Sequence, residues 1–309
     1  MTNPFINSDS NRRFYTYDYY LRKRFGVKCF KVPIDCGFTC PNIDGTKGCG
    51  GCTYCILPSR ERKLLPIEVQ FAQNVEKLNG KWPGAKHIVY FQDYSNTYAQ
   101  VEKLRGLYYA ALGLPDVVGL SIATRADCLE DDVVELLREI DKKTYLTVEL
   151  GLQSSSDVSA ERINRCHTWE EFLDGYHKLD GLNRCIHIID GLPGESQDDM
   201  IKTVRDIAPL RPHEVKIHLL HVIRGTVMAS QYERGEFDTL TLEQYVDTVI
   251  KQLELLPPDT VIGRITGDGL KDELIAPLWS TKKFVVMNEI DKKMARDDTW
   301  QGRLFDVQK

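Results

Sequence analysis

The sequence predicts an α/β fold on a parallel sheet, a barrel or partial barrel in preference to an open doubly wound sheet. Three observations predict it. Strand-like and helix-spaced runs alternate six times in order. The strand runs are apolar and of the buried kind, so helices must cover the sheet. The 309 residues suit one barrel-like domain with extensions, or two smaller domains. Periodicity alone does not separate a barrel from an open sheet.

Each element is read from its pattern. Cys29–Asp35 is a β-rich run, and Phe71, Val75 and Leu78 recur at helical spacing after it. His87–Asp93 reads as the second strand, and QVEKLRGLYYAALG as a helix ending at Gly113. Val117–Arg125 is a strand followed by the helical EDDVVELLREI. Thr144–Gln153 is a strand, with helical stretches near 157–164 and 170–179. Arg184–Gly194 is a strand running into a turn, and Ser196 is placed to cap the next helix. Glu214–Val222 is the sixth strand. Leu242, Tyr245, Val246, Val249, Ile250, Leu253 and Leu256 then mark one helix face, and Thr260–Asp268 adds one more strand.

In either architecture ligands sit at the carboxyl ends of the strands. Gln92, Thr124, Arg125, Gln153, the GLPGE turn and His221 fall there. So does CPNIDGTKGCGGCTYC, four cysteines from Cys40 to Cys55, with Cys36 just upstream. The chain has no run of about 18 apolar residues and no apolar core of a signal peptide at its start, so no membrane span is expected and a cytoplasmic location is the default. Nine cysteines in a reducing compartment favour metal or redox chemistry over a disulfide framework. Cys49–Cys52 and Cys52–Cys55 share a residue, so they are not two independent CxxC pairs. A four-thiolate zinc site from Cys36, Cys40, Cys52 and Cys55 stays open, as does an iron–sulfur cluster. Cys29, Cys128 and Cys185 lie in strand or helix patterns and read as core.

Net charge is −5, against indiscriminate nucleic-acid binding, but residues 1–63 carry eleven Lys/Arg and five Asp/Glu. Arg12, Arg13, Arg22, Lys23, Arg24, Lys28, Arg60, Arg62 and Lys63 interleave with Phe14, Tyr15, Tyr17, Tyr19, Tyr20 and Phe25. Such a segment either holds phosphates and stacked bases or docks its aromatic residues on the core; the second is the commoner use.

Cys52-Thr53-Tyr54-Cys55 places an aromatic before its last cysteine. In this the chain resembles the radical S-adenosylmethionine superfamily. The stretched Cys40-x11-Cys52-x2-Cys55 loop is similar to that of the elongator-type tRNA-modification catalytic subunit and a related bacterial branch. YFQDYSNTYA, TRADCL, GLQS, INRCH, GLPGE, LHVIRGT, RITGD and NEID extend the resemblance over nearly the whole chain. The branch has Gly where Cys166 stands, and Cys36 and Cys49 are unusual in it.

The resemblance implies a partial (β/α)6 radical-SAM barrel over 29–268, with a cluster loop at 36–56, an N-terminal arm at 1–28 and a C-terminal extension at 269–309. It implies a [4Fe-4S] cluster on Cys40, Cys52 and Cys55, with one iron open to S-adenosylmethionine. Reduction of that cofactor yields a 5′-deoxyadenosyl radical that abstracts hydrogen from substrate. Gln92 and Asn96 would hold the methionine amino group. Thr124, Arg125, Glu149 and Gln153 suit the carboxylate and ribose, and the Ile189–Leu192 backbone, including Gly191 and Leu192, the adenine. His187, His218, His221, Arg224 and Arg264 are candidates for substrate contact; His218 and His221, three apart in a strand, face opposite sides. The implied substrate is tRNA, at a wobble uridine whose carboxymethylaminomethyl group becomes aminomethyl. The implied partner is an electron donor such as flavodoxin or ferredoxin. A protein or small-metabolite substrate, or a non-catalytic zinc- or cluster-binding module, are the alternatives.

Overall fold

The computed structural model describes residues 3–57, 64–267 and 272–305. Arg60, Arg62, Lys63 and Asp268, part of the expectations above, lie outside these residues. The chain runs α1 (Tyr17–Phe25), β1 (Cys29–Ile34), α2 (Ile67–Asn79), β2 (Lys86–Phe91), α3 (Val101–Leu112), β3 (Val117–Thr124) and α4 (Asp131–Asp141). It continues through β4 (Tyr145–Gln153), α5 (Asp157–Arg162), α6 (Trp169–Lys178), β5 (Asn183–Asp190), α7 (Gln197–Ile207) and β6 (Glu214–Leu219). Then come β7 (Val222–Ile223), α8 (Val227–Glu233), α9 (Leu242–Leu255), β8 (Val261–Arg264), β9 (Leu274–Ala276) and α10 (Lys283–Arg296).

Seven strands form one parallel sheet in the order β1-β2-β3-β4-β5-β6-β8, curled into a half-barrel, and β7 pairs antiparallel with β9. Six β-then-α units with short connections give this order because a parallel neighbour needs a crossover helix. Ser196 caps α7 as expected, in a capping box with Asp199. Tyr245, Val246, Val249, Ile250 and Leu253 of α9 are buried, as their spacing predicts.

Alternation along the strands decides what lies inside. Val32, Val89, Leu120, Val148, Ile186, Val215 and Ile262 belong to the main apolar core that the helices cover. The alternate positions face inward and carry Lys31, Tyr90, Ser121, Glu149, His187, Lys216 and Arg264. At the amino end the inward residues are apolar: Cys29, Ile88 and Tyr145 pack on Leu21, Tyr17, Tyr20 and Phe25 around α1.

Helix α1 therefore stoppers the barrel. It touches both edge strands, β1 and β8, and the preceding segment bridges Thr16 to Ile262. Gly26, at φ 73°, ends it, a conformation a side chain would disfavour. Tyr20 meets His213 edge-on at 5.1 Å between centroids, and Lys31 sits 4.6 Å over the Tyr17 ring. Of the two readings of the basic aromatic segment, the docked one describes α1, at the end of the barrel opposite the cysteines. No described helix is long and apolar enough to cross a membrane.

One buried carboxyl is out of place in this packing. Asp190, at the end of β5, is 1% exposed; Oδ1 accepts from Gln252 Nε2 at 2.7 Å, while Oδ2 and Gln252 Oε1 have no partner. Burial pushes its pKa up to about 8. Between the ordinary carboxylate value and pH 8 the folded chain keeps a proton that the unfolded chain releases, so stability falls as pH rises. Asp190→Asn supplies a permanent donor toward Gln252 Oε1. It is expected to stabilise the protein at pH 7 by on the order of a few kcal/mol. Thermal melts should show the gap closing as pH drops toward 4.

Candidate functional site

A cavity of about 510 Å³ opens at the carboxyl ends of the strands. Cys40, Cys52 and Cys55 line it; Cys36 and Cys49 do not. The loop bearing the three thiols follows β1 and lies across the mouth. Thr53 N–H donates to Ile163 O at 3.0 Å, and Thr53 O accepts from Met228 N–H at 2.9 Å. The Asn164 amide donates to Cys49 O and Gly51 O, and Asn42 returns a bond to Asn164 O. Gly48 is required at its position: a Cβ there would lie 2.4 Å from Asn42 Oδ1 and 2.7 Å from Cys166 Sγ.

The surroundings of the thiols suit thiolate chemistry. Arg165, 6% exposed, holds Nη1 3.8 Å from Cys52 Sγ, and Asn42 Nδ2 lies 3.6 Å from the same sulfur. The hydrogen bond with Cys55 and the Arg165 guanidinium hold the Cys52 thiol well below its ordinary value against the effect of burial. The shared proton stays on Cys55, whose thiol is pushed up. Tetrahedral zinc would draw its sulfurs to about 3.8 Å from one another, by its bond lengths. Cys40, Cys52 and Cys55 do not gather that tightly: among the described residues the metal-type group within 4.8 Å is Glu149, Cys185 and His187. Hydrogen-bond donors aimed at the Cys52 sulfur are of the kind that tune an iron–sulfur cluster.

The other predicted residues divide. Gln92, Thr124, Arg125, Glu149 and Gln153 line the cavity, as do His187, His218 and Arg264. Gln153 has φ 78°, where β4 breaks register with β5; strain of this kind collects at binding sites. Asn96 is 1% exposed and off the cavity wall, its amide donating to Asp93 O and Ala123 O, so it pins the turn after β2. Gly191 and Leu192 are also off the wall. Leu192 packs with Ile163, Leu220 and Met228, and a Cβ on Gly191 would meet Leu240. His221 and Arg224 are outside the lining too.

Arg125 and Glu149 are on the wall but engaged. Arg125 grips Asp127 in two bonds of 2.8 Å and donates to Arg165 O and Cys166 O. It clamps the segment that carries Arg165. Cys166 sits there at φ 55°, which accounts for glycine in the resembling branch. The Cys166 thiol bonds Asn164, away from the main cavity.

Glu149, fully buried, takes Lys31, Lys216, His187 and Ser121. Its carboxylate is the hub of the charged network on the barrel floor. Lys216 and Lys31 hold it well below the usual carboxylate range against burial. Two ammonium groups on that carboxylate also leave no charge for a cation beside Cys185 and His187. Burial and the charge of Lys216 press His187 down to about 4.

The sequence reading missed Arg165, Asn42, Lys31 and Lys216. A lysine inside an otherwise apolar strand, as in CFKVPID and EVKIHLLHV, is the sign that could have found the last two. Cys29, Cys128 and Cys185 are buried as expected, though Cys128 lies in the loop after β3.

Comparison with known proteins gives a consistent result. A profile of the Radical SAM superfamily matches residues 44–207, and one of the Radical_SAM C-terminal domain matches 212–296. The uncharacterized protein YtqA of Bacillus subtilis is 44% identical over 309 residues, 98% of this chain and 96% of that one. The tRNA uridine(34) acetyltransferase of Methanocaldococcus jannaschii is 29% identical over 157 residues, 49% of this chain and 28% of that one. The archaeal Methanocaldococcus infernus Elp3 superposes with a TM-score of 0.65 at 19% identity, over 88% of this chain and 64% of that one.

Proposed function

The chain belongs to the radical SAM superfamily of enzymes, and on that premise we propose that it acts on tRNA, removing the carboxymethyl part of a wobble carboxymethylaminomethyl uridine to leave aminomethyl. The observation that carries the chemical half is the convergence of Cys40, Cys52 and Cys55 on the cavity that ends the parallel sheet. These thiolates would hold the [4Fe-4S] cluster. Such a cluster would supply the electron for reductive cleavage of bound S-adenosylmethionine.

The protein's own contribution is geometry and shielding. Arg165 and Asn42 lie against the Cys52 sulfur and keep it charged and oriented. Gln92, Thr124 and Gln153 offer polar atoms on the wall for the cofactor's amino acid and ribose. The Arg125–Asp127 pair fixes the loop behind Arg165. Helix α1 packs on the apolar far end of the barrel and shields the site from that side. An electron donor such as flavodoxin or ferredoxin would serve the cluster loop from outside.

The tRNA half is supported by partial sequence similarity to the uridine(34) acetyltransferase, which covers the part of that protein shared with this chain. Nucleoside mass analysis of tRNA from a strain lacking the gene tests it. Carboxymethylaminomethyl uridine should accumulate at the expense of aminomethyl derivatives; an unchanged nucleoside profile would overturn it.

A further inference from the structure

We propose that Arg264, flanked by Lys216 and His218, is the seat for a carboxylate carried by the substrate. The proposal rests on reading this cavity as the meeting place of substrate and cofactor.

Arg264 ends β8 on the inward face, in register with Lys216 of β6, and both line the cavity. The neighbouring cations are engaged. Lys31 bridges Glu149 and Glu214, Lys216 binds Glu149, Arg125 binds Asp127, and Arg165 binds Gly151 O. Arg264 has no hydrogen bond or ion pair among the described residues. Beside it, His218 Nε2 is buried without a partner.

The charge balance points the same way. Glu149 is shared between two lysines and His187. Glu214 faces Lys31 at 3.6 Å, both its oxygens lack hydrogen bonds, and burial pushes its carboxyl up. Neither carboxylate pairs with Arg264, which lines the cavity beside Lys216 and His218. An unpaired guanidinium in a recess is costly unless an anion completes it, and a carboxylate matches its fork with two parallel bonds. The recess lies inside the barrel and must also admit the cofactor. A cavity of about 510 Å³ shared with the cofactor favours a substituent over a nucleotide backbone.

On the wobble-uridine reading the anion is the carboxylate of the group to be removed. Arg264 then distinguishes substrate from product, because the aminomethyl product has lost its anchor.

The test uses the anaerobically reconstituted holoenzyme and two anticodon stem-loop RNAs, one carboxymethylaminomethylated and one aminomethylated. Wild type should bind the first about ten- to a hundredfold more tightly, the range for a lost charge-assisted hydrogen bond. Arg264→Gln should shrink that preference to within about twofold, and Arg264→Lys should keep part of it. A preference that survives Arg264→Gln overturns the proposal. So does an Arg264→Gln protein whose S-adenosylmethionine affinity falls as far as its RNA affinity, since the seat would then serve the cofactor's own carboxylate.

If wild type binds neither RNA, the wobble-uridine reading fails and the seat is tested alone. Phenylglyoxal labelling of Arg264, read by peptide mass with S-adenosylmethionine bound, is compared in acetate and acetamide. Protection by acetate alone supports the seat, and equal labelling overturns it.

Discussion

Alanine at Cys40, Cys52 or Cys55, one at a time, is expected to remove bound iron and sulfide and to lower reductant-dependent release of 5′-deoxyadenosine by more than about a hundredfold. Each thiol faces the same cavity, and a loop that presents three ligands has no spare on that wall. Cys49→Ala and Cys36→Ala are expected to keep both cluster and activity. Cys49 is exposed and off the wall. Cys36 packs against the apolar core, where burial pushes its thiol up to about 11. Iron, sulfide and zinc analysis of the five anaerobically purified variants checks this. An inactive Cys49→Ala beside an active Cys40→Ala would reassign the ligands, and a colourless zinc protein would remove the cluster altogether.

Glu149→Ala is expected to cost about 3–5 kcal/mol of stability, the range for removing one partner of a buried ion pair. The carboxylate is fully buried and is the common counter-ion of Lys31 and Lys216. Without it two ammonium groups stand in the barrel with little but Glu214 between them. Urea unfolding at pH 7 measures the loss.

The pH dependence follows from the direction of the shift. Glu149 is held well below the ordinary carboxylate value, so its contribution is complete above that value and is lost as pH falls through the folded one. Wild type should therefore converge on Glu149→Ala in acid. A variant as stable as wild type at pH 7 would show that the network adds no stability, and a gap that widens in acid would contradict the sign.

The outer face of the barrel was legible because burial writes itself as periodicity. All seven strands of the parallel sheet were visible as apolar runs, with ends misplaced by a few residues where polar strand ends run into turns. The β7–β9 pair was not, since two- and three-residue strands carry no period. The cysteine loop was legible because thiols at fixed spacing have few other uses. The inner face was harder. Glu149 was read as a strand-end cofactor contact, yet it sits mid-β4, where two lysines and a histidine on three other strands bond it, and no sequence window holds them together. Asn96 and Arg125 show the same difficulty: a polar residue beside a site can bind a ligand or hold the backbone, and the sequence does not carry the hydrogen-bond partners that both residues have here. Arg165 escaped because its role depends on the approach of Cys52, over a hundred residues earlier.

The docking of α1 ties the two ends of the polypeptide together. Arg13 pairs with Asp298, Gln301 N–H donates to Arg13 O, and Tyr15 N–H donates to the Gln301 side chain, just ahead of the helix that fills the seam between β1 and β8. A half-cylinder whose two free edges are held by one clasp cannot spread at the back without undoing its own beginning and end. The opening that remains is consequently a lip, made by the cysteine loop and the turns beside it. Whatever enters the cavity must negotiate that lip.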